Sequence, residues 1–393
     1  MKLPRRHFLA SLGALGLKRA FDAPAIAAPR TPFPELRAAG SPGTMGLAHG
    51  RAFSEAVRRN IKFYVPWLAR HAHTDGAAIL RTAHQFGPVL REHQPALLEE
   101  MMGIARGAGC RVDEILAVNA RTEILVVRAQ GTPPVVKPGC TALALVDRGG
   151  NGPRLALGQN WDWRRELNRG TVLLRLTPSE GPALVTFTEA GMVGKIGFNA
   201  HRLGVCLNFL GHTSDSPEAQ PGVPVHVLLR AIMGCHSLEQ AYKMVAWFPR
   251  CASANFLLAQ HDPGKAPSAL DIELTPVALG RLPLVGDHLV HTNHFKNAAL
   301  AGGCTSKQNR STINRDRVAE SLATKLHGIA DPAARMRRIL VDRQGAPYSV
   351  SKSVAPDSSS ETLAGIIMDL TGNRLHLCAG PPHRGRWVTR PGV

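Results

Sequence analysis

A cysteine at the exit of a rigid, hydrogen-bond-poor loop is the residue in this sequence best placed to do chemistry. Residues 131–139 read Gly-Thr-Pro-Pro-Val-Val-Lys-Pro-Gly, and Cys140 follows. Three prolines and two glycines in nine residues predict a loop with few backbone hydrogen bonds, and Cys140-Thr-Ala-Leu-Ala-Leu-Val146 reads as a strand. Glycine before the bond lets the backbone strain and gives a thiol access to the Gly139 carbonyl. Attack there would shift the acyl group from nitrogen to sulfur, and water would release the upstream chain. The product is a cysteine with a free α-amine. That amine has an ordinary pKa of about 7.7–8.0, against about 8.5 for a thiol and about 10.4 for a lysine amine. It is a usable general base beside its own nucleophile. The same local residues also fit a structural cysteine at the start of a core strand. Cys110, Cys235 and Cys304 follow glycines too, so the Gly-Cys pair decides nothing alone.

The elements that would position this cysteine change character at the loop. Before it, helical spacing predicts helices over 54–72, with Pro66 as a kink, and over 78–90, 96–108 and 112–127. After it, strand patterns run through 140–146, 155–159, 171–176, 183–189, 195–199 and 204–209 at the close spacing of an antiparallel sheet. Two helices follow at 225–233 and 238–247. Strands return at 255–260, 269–274 and 288–291, then helices at 315–326 and 333–341, and a last hairpin at 363–369 and 374–378. Sheets with helices before, between and after them predict a layered α/β arrangement. No internal repeat is present.

Composition bounds the alternatives. The chain has 393 residues, 44% hydrophobic and 19% charged, enough for a sizeable core in one large domain or two ordinary ones. No run of 18 apolar residues exists, so no membrane-spanning helix is predicted. The formal charge is +18. Such a balance fits an anionic partner, but the basic residues are scattered and no nucleic-acid-binding motif appears. Seven cysteines leave at least one thiol unpaired, and no CxxC pair exists. Cys206, in Val-Cys-Leu, reads as a buried core thiol.

Residues 1–28 resemble a twin-arginine export signal. Arg5-Arg6-His7-Phe8-Leu9 precedes a mild apolar stretch, and Ala25-Ile26-Ala27 supplies a small-x-small cleavage pattern. The expectation is a periplasmic or secreted protein, or a cytoplasmic one if the segment is only a basic amphipathic helix.

The motifs along the chain resemble the C45 peptidase family, the acyl-coenzyme A:6-aminopenicillanic acid acyltransferase (isopenicillin N acyltransferase) group. They run in order as Ala48-His49-Gly50, Gly103-Ile-Ala-Arg-Gly107, Val118-Asn119-Ala-Arg121-Thr-Glu123 and Gly139-Cys140-Thr141. Gly158-Gln-Asn160-Trp-Asp162-Trp163, Gly197-Phe-Asn199, Asn208 and Ser253-Ala-Asn255-Phe256 follow. His291-Thr-Asn293-His294-Phe295 and Gly380-Pro-Pro382 complete the series. The resemblance implies an α+β fold, a four-layer αββα N-terminal-nucleophile hydrolase sandwich with an N-terminal helical segment. It implies a helical piece, 29–139, and a catalytic piece, 140–393, together forming one domain.

The resemblance also implies roles. Cys140 is the nucleophile, cleaved from Gly139. Asp162 holds the amine of Cys140 and assists the cut, or else closes a turn. Asn255 is the oxyanion donor, or else caps a strand end. Arg315 is the site arginine, with Arg310 as rival, since the family's acidic residue before the serine is absent here. Arg121 and Glu123 are expected as a buried pair supporting the cleavage site. Asn160, His291, Asn293 and His294 are expected as support. His288, His291 and His294 are three apart, unlike a zincin helix. Residues three apart in a strand face opposite sides, so a bracing network is expected in place of a metal site. No feature demands a cofactor. The expected substrate is a small acyl amide or thioester, hydrolysed or transferred. Two other classes stay open: an exported polyanion binder, and a papain-like cysteine hydrolase, for which no Cys-Gly-x-Cys-Trp signature is found.

Overall fold

Alternation of apolar residues on both sides of the loop builds two stacked sheets. The computed structural model describes residues 31–128, 139–150, 152–306, 309–354 and 360–393. The predicted signal, and most of the cleavage loop, lie outside the described residues.

The strands are β1 (Glu35–Gly40), β2 (Gly139–Asp147), β3 (Arg154–Arg164), β4 (Thr171–Pro178), β5 (Leu184–Glu189), β6 (Ile196–Asn199) and β7 (Leu203–Phe209). They continue as β8 (Ala254–Gln260), β9 (Ser268–Leu274), β10 (Leu279–Pro283), β11 (His288–His291), β12 (Ser360–Asp369), β13 (Arg374–Ala379) and β14 (Trp387–Pro391). One sheet has eight strands in the order β1-β4-β5-β6-β7-β8-β9-β10. The other has six, in the order β11-β2-β3-β12-β13-β14. All neighbours are antiparallel except β1, which lies parallel to β4.

The helices are α1 (Pro42–Ala52), α2 (Ser54–His71), α3 (Gly76–His84), α4 (Phe86–His93), α5 (Pro95–Ala108), α6 (Val112–Asn119) and α7 (Arg121–Val127). After the sheets begin come α8 (Val225–Ile232), α9 (Leu238–Trp247), α10 (Ala298–Ala301), α11 (Arg310–Lys325) and α12 (Pro332–Leu340). The 78–90 and 112–127 predictions are each split in two, at Gln85, which keeps helical angles, and at Ala120, where the backbone leaves them at φ −101°, ψ 21°. Helix α2 continues through Pro66. Strands β1, β10 and β14 and helices α1 and α10 were not predicted; short edge strands carry too few residues to show a period.

The layers follow from strand alternation. On β2, Cys140, Ala142 and Ala144 join Leu157 and Trp161 of β3 in the core shared with the larger sheet. Leu143 and Leu145 face the other way, onto Val318, Ala319, Met336 and Ile339 of α11 and α12. Helices α8 and α9 contact β7, β8 and β9 of the larger sheet. The result is an αββα sandwich, with both sheets between helical layers.

The glycine motifs upstream are packing devices. A Cβ on Gly46, Gly50, Gly103 or Gly107 would collide with backbone of the facing helix, so these glycines let α1 and α5 touch along their length. From that pair, His49 Nε2 accepts from Gly191 N–H (3.1 Å), and Asn119 bonds Gly191 O (2.8 Å) and Val193 N–H (3.1 Å). Two motifs of the helical piece thereby fix the turn between β5 and β6.

Candidate active site

Cys140 lies where the two sheets are stapled together. Strand β6 pairs with β7 only as far as Val205, so the next backbone groups of β7 lack a strand partner on that side. Side chains from β3 and from the turn after β11 supply the partners. Gln159 bonds both the N–H (3.0 Å) and the carbonyl of Leu207. Asn293 Nδ2 donates to Phe209 O (3.0 Å). Both residues also serve Cys140.

The backbone of Cys140 is gripped from two sides. Its N–H donates to Asn293 Oδ1 (2.9 Å). Arg315 donates from Nη1 to the Cys140 carbonyl and to Thr141 Oγ1 (3.1 Å), and from Nη2 to Asn293 Oδ1 (2.8 Å). Arg315 is fully buried, whereas Arg310, at the first turn of α11, is exposed. Of the two candidate arginines, the fold brings Arg315 to the cysteine. Helix α11 is held in register by Thr312, whose Oγ1 accepts from Asn293 N–H (2.7 Å) and bonds Thr292 and His294.

Asp162 pairs with Gly139 across the β2–β3 ladder. Its Oδ1 accepts from Thr362 Oγ1 (2.6 Å), and its Oδ2 is buried with no hydrogen-bond partner. A Cβ built on Gly139 would stand 2.6 Å from that Oδ2, so any larger residue would displace the carboxylate. Burial pushes the Asp162 carboxyl up to about 6, against the pull of Lys352 and Arg315. Burial likewise pushes the Cys140 thiol up to about 11, and the Asp162 charge adds to it. The Asp162 backbone N–H, Arg315 and the Gln159 side chain oppose the rise. With its α-nitrogen still in a peptide bond, this thiol is protonated at neutral pH and needs a base. The sulfur's residue is 5% exposed, and it lies in reach of the tryptophan-flanked aspartate.

On β8, Asn255 donates to Asp271 Oδ1 (2.7 Å) and to Asn208 Oδ1 (3.4 Å). Asn208 in turn donates to His291 O (3.4 Å). His291 bonds Glu273 (2.8 Å) and lies 3.8 Å from Asp271. Asp271 and Glu273 outweigh the effect of burial and raise its pKa. His288 points to the other face, to Glu320 of α11 (3.0 Å) and Asp287 (2.7 Å). The histidines therefore serve separate partners, as a strand's alternation requires.

One sequence expectation is corrected. Arg121 does not pair with Glu123. Its Nη1 donates to Glu189 Oε2 (2.6 Å), while Glu123 accepts from Val225 N–H (2.8 Å) at the start of α8. Residues two apart on a helix point to different sides, so each finds its partner in another element. Asn160 supports the fold but does not touch the cysteine: it binds Leu340 O (2.8 Å) and Val350 O (2.9 Å), on the helix-facing side of β3.

Sequence reasoning missed Glu189, Lys195, Gln159 and Asp271. Glu189 accepts from Tyr64 (2.5 Å), Arg121 and Lys195. Arg121 and Lys195 outweigh burial and hold Glu189 down at about 2. Burial, with Arg121 beside it, brings Lys195 down to about 7 against the pull of Glu189. Lys195 Nζ sits 3.8 Å over the ring of Trp161, the cross-strand partner of Cys140. A lone lysine in the apolar run 190–198, and two carboxylates alternating with Leu and Ile at 270–274, are the signals that could have found them.

Comparison with known proteins adds the following. Residues 148–384 match the profile of the family described as acyl-coenzyme A:6-aminopenicillanic acid acyl-transferase. The chain is 26% identical over 351 residues to the acyl-coenzyme A:6-aminopenicillanic-acid-acyltransferase 40 kDa form of Emericella nidulans, covering 88% of this chain and 92% of that protein. Among solved structures, a variant of conjugated bile acid hydrolase from Clostridium perfringens matches at 14% identity and TM-score 0.44, over 64% of this chain and 92% of that one. Penicillin V acylase from Agrobacterium tumefaciens matches at 12% identity and TM-score 0.38, over 61% and 83%.

Proposed function

The chain belongs to the acyl-coenzyme A:6-aminopenicillanic acid acyltransferase family, and from that premise we propose that it matures by cutting its own Gly139–Cys140 bond and then uses Cys140 to hydrolyse or transfer an acyl group. Acyl transfer or amide hydrolysis follows from the family. The self-cleavage and the cysteine nucleophile are the finer reading.

The observation that carries it is the fit between Gly139 and Asp162. A buried carboxylate oxygen without a partner stands where a side chain on residue 139 would be. An unsatisfied buried carboxylate is costly, so it calls for a role. In the uncut chain it can take and return the proton as the Cys140 thiol adds to the Gly139 carbonyl carbon. The C–N bond then breaks, the nitrogen gains the proton, and Gly139 is left as a thioester on Cys140. Water hydrolyses that thioester, giving a Gly139 carboxylate and a free thiol. The new α-amine already has Asn293 Oδ1 as acceptor on one side, and Asp162 can hold its ammonium form.

In turnover the neutral α-amine takes the thiol proton, and the thiolate adds to the carbonyl of an amide or thioester. Asn255 is the donor for the developing oxyanion. The leaving amine or thiol takes the proton back, and the acyl-cysteine passes to water or an acceptor amine. Arg315 holds the Cys140 carbonyl and Asn293 in place throughout. The substrate class is a small acyl amide or thioester, and the two pieces of the cut chain stay partners. Residues 1–28 would export the folded protein, and a compartment without acyl-coenzyme A favours hydrolysis.

The intact mass of purified protein tests this. Two pieces joining at 139/140 are expected, and Cys140→Ala should give one uncut, inactive chain. An uncut wild type with full activity would reject the reading.

A further inference from the structure

The amide of Asn255 has two ends, and the neighbouring carboxylate decides which way it faces. Asn208, Asn255 and Glu273 sit side by side across β7, β8 and β9. Asn255 uses Nδ2 for both of its bonds, a short one to Asp271 Oδ1 (2.7 Å) and a long one to Asn208 Oδ1 (3.4 Å). Its own Oδ1 and the Asp271 Oδ2 are buried without hydrogen-bond partners. Asn255 is fully buried and Asp271 is 1% exposed.

An ionised carboxylate only accepts hydrogen bonds, so it must draw the NH2 end of the amide toward itself. That anchors one N–H. The second N–H, held only loosely at 3.4 Å by Asn208, is free to turn to another oxygen. A protonated Asp271 has the opposite demand. Its O–H donates, and the acceptor available in reach is the amide oxygen. The amide then turns over and presents a lone pair where a donor stood.

We propose that Asp271 is a positioning residue for the acyl-transfer step: its ionised carboxylate keeps an Asn255 N–H turned toward the oxyanion, and its protonation reverses the amide and disables the step. The proposal rests on the reading of Cys140 as nucleophile and Asn255 as oxyanion donor.

The surroundings place this switch in an accessible pH range. Burial raises the Asp271 carboxyl to about 6, against His291 and the Asn255 bond, while Glu273 on the same strand adds to the rise. The other charged or titratable groups facing it are Lys296, just beyond β11, and Cys206 on β7. Asp271 Oδ2 accepts no hydrogen bond and has only His291 Nε2 at 3.8 Å.

The test is steady-state kinetics of the processed enzyme on a panel of p-nitroanilides, acetyl to decanoyl and phenylacetyl, from about pH 4.5 to 8.5, a window that brackets the carboxyl titrations. In the wild type, log kcat should fall on the acid side with a slope approaching two, one proton from the α-amine of Cys140 and one from Asp271. Asp271→Asn should drop kcat about 10- to 100-fold at about pH 8, as a partly lost oxyanion donor does. It should leave KM within about threefold and reduce the acid slope to one. Asp271→Leu should lose still more kcat; if it does not fold, Asp271→Asn decides. A wild-type kcat and slope in Asp271→Asn, or a loss confined to KM, overturns the proposal. Turnover by Cys140→Ala, or none by the wild type on the whole panel, defeats instead the reading beneath it.

Discussion

The cluster around Glu189 and the pair Asp162 and Asp271 are equally buried, and they differ in how their carboxylates are satisfied. Both Glu189 oxygens are bonded, by Tyr64, Arg121 and Lys195, and its pKa is held at about 2. Trp163 donates to Tyr64 (2.9 Å), extending a closed network from α2 to β3. Asp162 and Asp271 each keep one oxygen without a hydrogen bond, and burial pushes both carboxyls up to about 6. The first arrangement fixes the walls around Trp161. The second stores carboxylates that can exchange a proton near neutral pH. At these three carboxylates, full hydrogen bonding goes with a fixed charge and an unbonded oxygen with one that can change.

Glu189→Gln gives the largest effect that would sharpen this contrast. It strands two buried cations and should cost about 3–5 kcal/mol, read by urea unfolding. The sign is fixed by the depressed pKa. Glu189 contributes stability above its usual 4.5, and that stability is lost as pH falls from 4.5 toward 2. A variant as stable as the wild type would break the contrast.

Asp162→Asn should do the reverse. Its raised pKa means its contribution is present below 3.8 and lost as pH rises through 6. Replacing it should therefore add up to about 3 kcal/mol at about pH 7.5, while self-cleavage slows tenfold or more on a gel time course. Unchanged cleavage would remove Asp162 from the mechanism.

Gly139→Ala pushes a methyl group against Asp162 Oδ2. Cleavage should slow by about tenfold or more with little change in melting temperature; normal cleavage would show that the close approach is idle. The smallest effect separates the two arginines. Arg310→Ala should leave processing and turnover within twofold, while Arg315→Lys, which cannot keep the fork of bonds to Cys140, Thr141 and Asn293, should lower both. Equal effects would undo the assignment.

Much of this site was legible as residue types along the chain. Cys140 at a loop-to-strand boundary, the Gln-Asn-Trp-Asp segment and the His-Thr-Asn-His run all lie in or beside elements that local pattern located. The long strands and helices α8 and α9 were found because many residues repeat one period. The break at Gln85 went unread although Pro88 lacks the N–H for the His84 carbonyl, and the break at Ala120 interrupts an unbroken apolar period. Arg121 was recognised as buried support but given the wrong partner, since a cross-layer partner such as Glu189, 68 positions away, leaves no local spacing to read.

The sequence by itself determined which groups could react: a thiol behind a glycine, with carboxylates, amides and arginines at hand. Side-chain chemistry and strand alternation are local properties, carried by each residue and its immediate neighbours. Only the tertiary structure decided between Arg315 and Arg310, gave Arg121 to Glu189, and left Asp162 and Asp271 each with an oxygen unsatisfied. Those outcomes depend on which distant strands are stacked face to face and on how much water the stacking removes, and desolvation belongs to the assembled fold and not to any one stretch of chain.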